Sequence, residues 1–308
     1  MEIKGVKGNT FCIDTGMTYI PFYKINDNEI ILMDSGWKKG EREGIEELLE
    51  KNNFRVVGII NTHAHIDHIG NNSYFKKKYN CIIAMPSCEA LICSSAVNLK
   101  VYYSSQNLSE VSKHFGHMVC ETDTLIPNDQ DQIYICGIKF KIIHTPGHSP
   151  GHICIVTPDD VTYLGDTLIS YEVMSGAKMP YAFILREDLK SKAKLYDLKC
   201  SKYIVAHKGM YGSEEIAKLI TDNIDFYKYR AAKIYGLIDG SMTSEDILKA
   251  VIQDFGIKVK SIYRYAVIER MLKSYIEYLN ETGSIEVNIE EGFLKYRKAA
   301  NENAAQIK

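Results

Sequence analysis

Residues 61–70 read NTHAHIDHIG and pack four metal-capable side chains, His63, His65, Asp67 and His68, into six positions. They follow VVGIIN at 56–61, a short β-rich run that reads as a buried strand. Neutral imidazole nitrogen suits zinc, cobalt, nickel and iron, and a carboxylate adds a hard oxygen that offsets part of an ion's charge. Alternate residues of an extended chain share a face, so His63 and His65 point the same way, while a turn into a helix swings Asp67 and His68 toward a second position. One short segment can therefore feed two adjacent metals. Scattered surface histidines would not be expected to crowd the end of a strand in this way.

The stretch resembles the HxHxDH motif of the metallo-β-lactamase superfamily, and three further motifs follow in that family's order: TPGH at 145–148, GDT at 165–167 and AHKG at 206–209. The resemblance covers roughly residues 1–212. It implies an α/β fold, the αββα sandwich of that superfamily, and a set of seven ligands. His63, His65 and His148 would hold one ion, and Asp67, His68 and His207 the other. Asp166 would bridge them, with a hydroxide between the ions as nucleophile and Asp67 orienting it, so Asp67 and Asp166 are the catalytic candidates. The resemblance also gives Asp34, in the DSG of 34–36, a hydrogen bond to a ligand histidine. His152 is assigned a structural part and His144 no metal role. Two divalent ions are the implied cofactors, zinc first, with iron or manganese as alternatives.

Departures from other branches narrow the choice. Flavodiiron reductases carry glutamate where His65 stands. Zinc β-lactamases replace or lack the aspartate at the Asp166 position, so antibiotic hydrolysis is not the expectation. Glyoxalase II enzymes share the seven ligands, but the C-terminal residues with which they grip glutathione are not evident. The resulting expectation is a dinuclear hydrolase cleaving a thioester, ester or lactone bond in a small or carrier-linked acyl substrate. The alternatives are a metal-dependent endoribonuclease, a mononuclear-iron persulfide dioxygenase and a non-catalytic binding protein that keeps the fold.

Bulk properties agree with a globular enzyme. The 308 residues exceed one ordinary domain, and 45% hydrophobic with 25% charged residues is enough to build a packed core. A net charge of −2 announces no nucleic-acid surface, although RNA stays an alternative partner. The N-terminus lacks a secretory apolar run, and no stretch is apolar enough for a membrane span, so a cytoplasmic protein without a membrane partner is expected. The eight cysteines contain no C-x-x-C pair and read as reduced, mostly buried thiols.

Along the chain, 11–15, 19–25 and 30–34 read as strands, 41–51 as a helix, 72–79 as a helix and 81–85 as a strand. Residues 87–120 are helical but poorly amphipathic, with Tyr102-Tyr103 along them, and are expected to cover the site. His114 and His117 read as surface or lid histidines. A hairpin is predicted over 132–144 about Cys136-Gly137, then strands at 153–157 and 161–164, a loop at 170–180, a helix at 187–198 and a strand at 203–206. Tyr171 and Tyr181 flank that loop, and either is a candidate donor to a developing oxyanion.

After Gly212 the composition shifts, dividing the chain into a catalytic domain at 1–212 and a helical domain at 213–308. Helices are expected at 214–237, capped by Ser213, after a capping box at Thr243 to Asp246, and at 262–279, stopped by Gly283; a short strand at 285–289 follows. This pattern resembles the winged-helix-like appendage of the lactamase-beta-2-like branch. A cap that completes the pocket or a homodimer interface is preferred over RNA binding, and residues 299–308 are expected to fray.

Overall fold

Two β-sheets stacked face to face, with helices on both outer surfaces, account for most of the chain. The structure is a computed structural model and describes residues 1–103 and 106–300, so most of the tail expected to fray, 301–308, lies outside the described residues. The first sheet has seven strands in chain order, from Glu2–Lys7 to Thr124–Ile126. Its first four strands pair antiparallel; Glu29–Met33, Arg55–Ile60, Ile82–Pro86 and Thr124–Ile126 pair parallel. The second sheet has six, from Gln132–Ile135 to Gly209–Gly212, and is antiparallel except where Val161–Tyr163 meets Lys202–Val205.

The period of two along a strand sorts side chains between the layers. In Glu29–Met33, Ile31 and Met33 enter the core between the sheets beside Ile60, Phe140, Ile155 and Ile204. Their neighbours Ile30 and Leu32 enter a second core with Ile45 and Leu49 of the helix Lys38–Lys51 and Phe75 of the helix Asn72–Tyr79. Burial on both faces is what parallel strands require, and it explains the uninterrupted apolar runs.

Turn chemistry fixes the second sheet. Gln132–Ile135 and Ile138–His144 pair with Ile135 opposite Ile138, and the two residues between, Cys136 and Gly137, have φ of 49° and 79°. A two-residue turn with both φ values positive matches the twist of the flanking strands.

Other expectations need correction. The 170–180 loop contains the helix Tyr171–Gly176, capped by the Ser170 side chain accepting from the Val173 amide. Ser213 does not cap the following helix, which starts at Ile216 after Glu215, because 213–215 form a turn in which the Glu215 carboxylate accepts from the Gly212 amide; the edge strand before it, Gly209–Gly212, was missed in the sequence. The helical reading of residues 87–120 holds, as the helices Ser87–Ile92, Ala96–Tyr102 and Leu108–Phe115 followed by a single 3₁₀ turn at Gly116–Met118. The single strand expected near 285 is one arm of a hairpin, Ile285–Glu290 with Phe293–Lys298.

The helix Ile216–Leu237 joins the C-terminal helices to the sandwich. Its first turns put Ile216, Leu219 and Ile220 under the second sheet. Its last turns put Tyr227, Ala231 and Ile234 against Ser244–Asp254 and Ile262–Glu281, in a core that also takes in Met179, Ala182 and Leu185. The Thr243–Asp246 capping box forms, with the Thr243 hydroxyl accepting from the Asp246 amide at 3.1 Å and the Asp246 carboxylate accepting from the Thr243 amide at 3.0 Å. Thr243→Ala should lower unfolding stability by about 1 kcal/mol in denaturant titration and leave metal uptake unchanged.

Candidate metal centre

The strand Arg55–Ile60 ends at one rim of the sandwich, and the chain turns through Asn61–His65 into the short helix Ile66–Ile69. This places His63 and His68 in buried positions and leaves Asp67 partly exposed. Loops of the second sheet bring the remaining groups to the same rim: the loop after Ile138–His144 carries His148, the loop after Val161–Tyr163 carries Asp166, and the end of Lys202–Val205 carries His207.

The seven side chains named from the sequence meet in two clusters. Ligand atoms of His63, His65, His148 and Asp166 lie within 4.8 Å of one another, as do those of Asp67, His68 and His207. Asp166 Oδ2 is 3.3 Å from His148 Nε2 and 3.4 Å from both His68 Nε2 and His207 Nε2, and Asp67 Oδ2 is 3.3 Å from His207 Nε2.

Three of the five rings are turned by what the far nitrogen touches. His68 Nδ1 donates to Asp34 Oδ2 at 2.7 Å, leaving Nε2 toward the gap. The Thr62 hydroxyl donates to Asp34 Oδ2 and accepts from His63 Nδ1 at 3.0 Å, which frees His63 Nε2. His65 Nε2 meets Tyr102 Oη at 2.9 Å, so its Nδ1 faces His148 Nε2 at 3.1 Å. Among the described residues, His63 Nε2, His68 Nε2 and Asp166 Oδ1 are buried without hydrogen-bond partners. Buried polar atoms are almost always satisfied, and orphans aimed into a common gap fit divalent cations.

Electrostatics point the same way. Burial and the neighbouring rings push His63 well below its usual pKa, and burial lowers His65 to about 3, so both are neutral donors at neutral pH. Burial opposes charging His207 and His68 too, but the Asp166 and Asp67 carboxylates outweigh it, holding His207 at about 10 and His68 well above its usual value. The metal-free pocket thus carries protons where cations would sit.

Groups around the centre hold its loops. Asp34 accepts from the Thr62 amide and hydroxyl, Asn61, His68 and Tyr163. His152 takes the structural part expected of it: Nε2 accepts from the Asp166 amide at 3.1 Å and Nδ1 donates to Thr145 Oγ1 at 2.9 Å. His144 Nε2 binds the Gln130 carbonyl, away from the clusters. His114 sits beside Glu110 at the surface. Tyr171 donates to Asp222, whereas the Tyr181 ring lies 5.3 Å from the rings of both His65 and His148, so of these two candidates it is Tyr181 that borders the centre. Gly147, at φ 131°, lets the His148 loop run so close to the helix Leu185–Lys194 that a Cβ would fall 2.0 Å from the Asp188 amide nitrogen.

Sequence reasoning missed Glu89. Fully buried, it accepts from the Ala64 amide at 2.8 Å, Ser149 Oγ at 2.7 Å and the Gly151 amide at 2.6 Å, tying the 61–70 segment to the His148 loop. The available signal was a carboxylate inside the otherwise apolar turn after Pro86.

Comparison with known proteins follows the same lines. The family model described as "Metallo-beta-lactamase superfamily" matches residues 13–207. A protein of Aquifex aeolicus is 30% identical over 127 residues, which are 41% of this chain and 53% of that one. A hydroxyacylglutathione hydrolase of Pelagibacter ubique is 25% identical over 218 residues, 67% of this chain and 76% of that enzyme. Among solved structures, a beta-lactamase domain protein from Burkholderia ambifaria superposes with a TM-score of 0.71 at 14% identity, covering 97% of this chain and 94% of the other, a likeness of fold.

Two outcomes test the centre. Because His207 and His68 hold protons at pH 7 that a cation must displace, metal uptake should release about two protons per chain. Affinity should therefore rise with pH, which calorimetry in buffers of different ionisation enthalpy measures. Asp34→Asn should weaken binding about 10- to 100-fold in competition with a chelator.

Proposed function

Because the chain belongs to the metallo-beta-lactamase superfamily, we propose that it is a dinuclear metal-dependent hydrolase that opens a thioester, ester or lactone bond in a small or carrier-linked acyl substrate. The observation that carries this reading is Asp166, whose Oδ2 lies within 3.4 Å of histidines from both clusters. A single carboxylate oxygen shared in this way suits two ions side by side. His63, His65 and His148 would hold one, and Asp67, His68 and His207 the other. Bound there, divalent ions such as zinc supply Lewis-acid polarisation and a water whose pKa falls from 15.7 toward about 7.

The chain's own groups fit that division of labour. Asp67, which His68 and His207 hold ionised against desolvation, has a side chain 29% exposed against 8% for Asp166, so it faces the opening, where its carboxylate can accept a hydrogen bond and orient a water. Cys154, beneath the centre against Thr145 and Thr167, is pushed by burial up to about 11, so it stays a thiol and offers no competing nucleophile. Beside Tyr102 opens a cavity of about 490 Å³ whose walls include Leu91, Ile92, Val101 and Phe183, with Arg270 and Lys273 at its edge. Its largely apolar walls include Tyr102, which meets His65, an arrangement that favours an acyl chain.

In this reading residues 1–212 form the catalytic domain of a cytoplasmic enzyme. Residues 213–308 are a winged-helix-like appendage that completes the pocket. The likeness to a hydroxyacylglutathione hydrolase supports a thioester over the other acyl bonds.

Protein purified without added metal should contain about two ions per chain and hydrolyse acyl thioesters, with activity lost to chelation and restored by zinc, iron or manganese. Asp166→Ala should cut turnover about 100-fold or more and lower the metal count. Metal-replete protein that is inert on acyl panels but cleaves single-stranded RNA would overturn the reading.

A further inference from the structure

The backing of His65 sets it apart. His63 and His68 lean on Thr62 and Asp34, both within the first sheet and its rim, whereas His65 Nε2 leans on Tyr102 at the end of the helix Ala96–Tyr102. Tyr102 Oη also lies 3.1 Å from Tyr181 Oη. Over these phenols sits Arg270 of the helix Ile262–Glu281, its guanidinium carbon 5.0 Å from the Tyr102 ring centre, 4.8 Å from Tyr103 and 5.1 Å from Tyr181. Its Nε is buried with no hydrogen-bond partner among the described residues, and an N–H reaches the Tyr102 carbonyl at 3.5 Å. The side chain is half-buried and, among the described residues, Arg270 forms no ion pair; three ring faces flank it instead. Such contacts are strongest when desolvated, and they act on ring orientation because the attraction is to the face.

We infer that Arg270 is a positioning residue: by clamping the Tyr102 ring it sets the direction in which His65 presents Nδ1, so the C-terminal helix governs how tightly one ion is held. The inference rests on the metal-centre reading given above. It makes residues 262–281 part of the centre rather than a lid over it.

The test uses the metal-free full-length chain, zinc competition against a chromogenic chelator, and the visible spectrum of the cobalt-loaded protein, which reports ligand geometry independently of turnover. Tyr102→Phe removes one oxygen and keeps the packing; it should weaken one of the two binding steps about 10- to 100-fold and shift the cobalt bands. Arg270→Met should move both readouts in the same direction by at least about threefold, and Arg270→Lys, which keeps a cation over the rings, should recover part of the loss. In the double variant the Arg270→Met effect should vanish, because both act through one contact. Thermal melting of the metal-free variants separates this from unfolding. Variants with wild-type affinity and spectrum, or effects that add in full, overturn the inference alone. A wild-type chain that takes up no ion overturns the hydrolase reading and this inference with it.

Discussion

The carboxylate of Asp34 is the point on which the two sheets close. It sits at the end of Glu29–Met33 with φ 67° and collects five donors, from the Asn61 side chain, the Thr62 amide and hydroxyl, the His68 ring and the Tyr163 hydroxyl. Tyr163 belongs to the second sheet and the others to the first and its rim, so one buried anion spans the seam. A charge removed from water at this depth persists only when it is fully hydrogen-bonded. That demand fixes the strand ends relative to one another, and the loops carrying His148, Asp166 and His207 inherit their positions from it.

The rim could be read from the sequence because its logic is local. An apolar run ending in His63, His65, Asp67 and His68 declares a strand and what the strand delivers, and Cys136-Gly137 between alternating residues declares a hairpin. The order of the later motifs carried the resemblance that implied the αββα architecture. Edge strands were harder. Glu2–Lys7 and Gly209–Gly212 carry few fully buried side chains, so they lack the apolar signal, and the short strand Thr124–Ile126 is dominated by its surroundings.

What stayed hidden is tertiary. The sequence around Glu89 does not say that its carboxylate will meet Ala64 on one loop and Ser149 and Gly151 on another. Arg270 reads as an ordinary residue of an amphipathic helix, and only the crossing of Ile262–Glu281 over Ala96–Tyr102 gives it tyrosine neighbours. The same holds for Lys192 and Asp188, a fully buried pair on one helix whose lysine lies over the Tyr227 ring at 4.2 Å, linking the His148 buttress to the C-terminal core. Spacing on the helix allows that pair; burial follows from packing on both sides.

The disposition of sulfur has a bearing on metal selectivity. Cys12, Cys81, Cys93, Cys120, Cys154 and Cys200 are buried and unpaired, and burial raises all six, Cys81 and Cys93 to about 12 and Cys120 and Cys154 to about 11. Soft ions bind thiolates, and these groups remain protonated under physiological conditions. Among the described residues neither cluster at the centre includes a cysteine, so these buried thiols stand apart from it and the choice of ion there falls to imidazole and carboxylate.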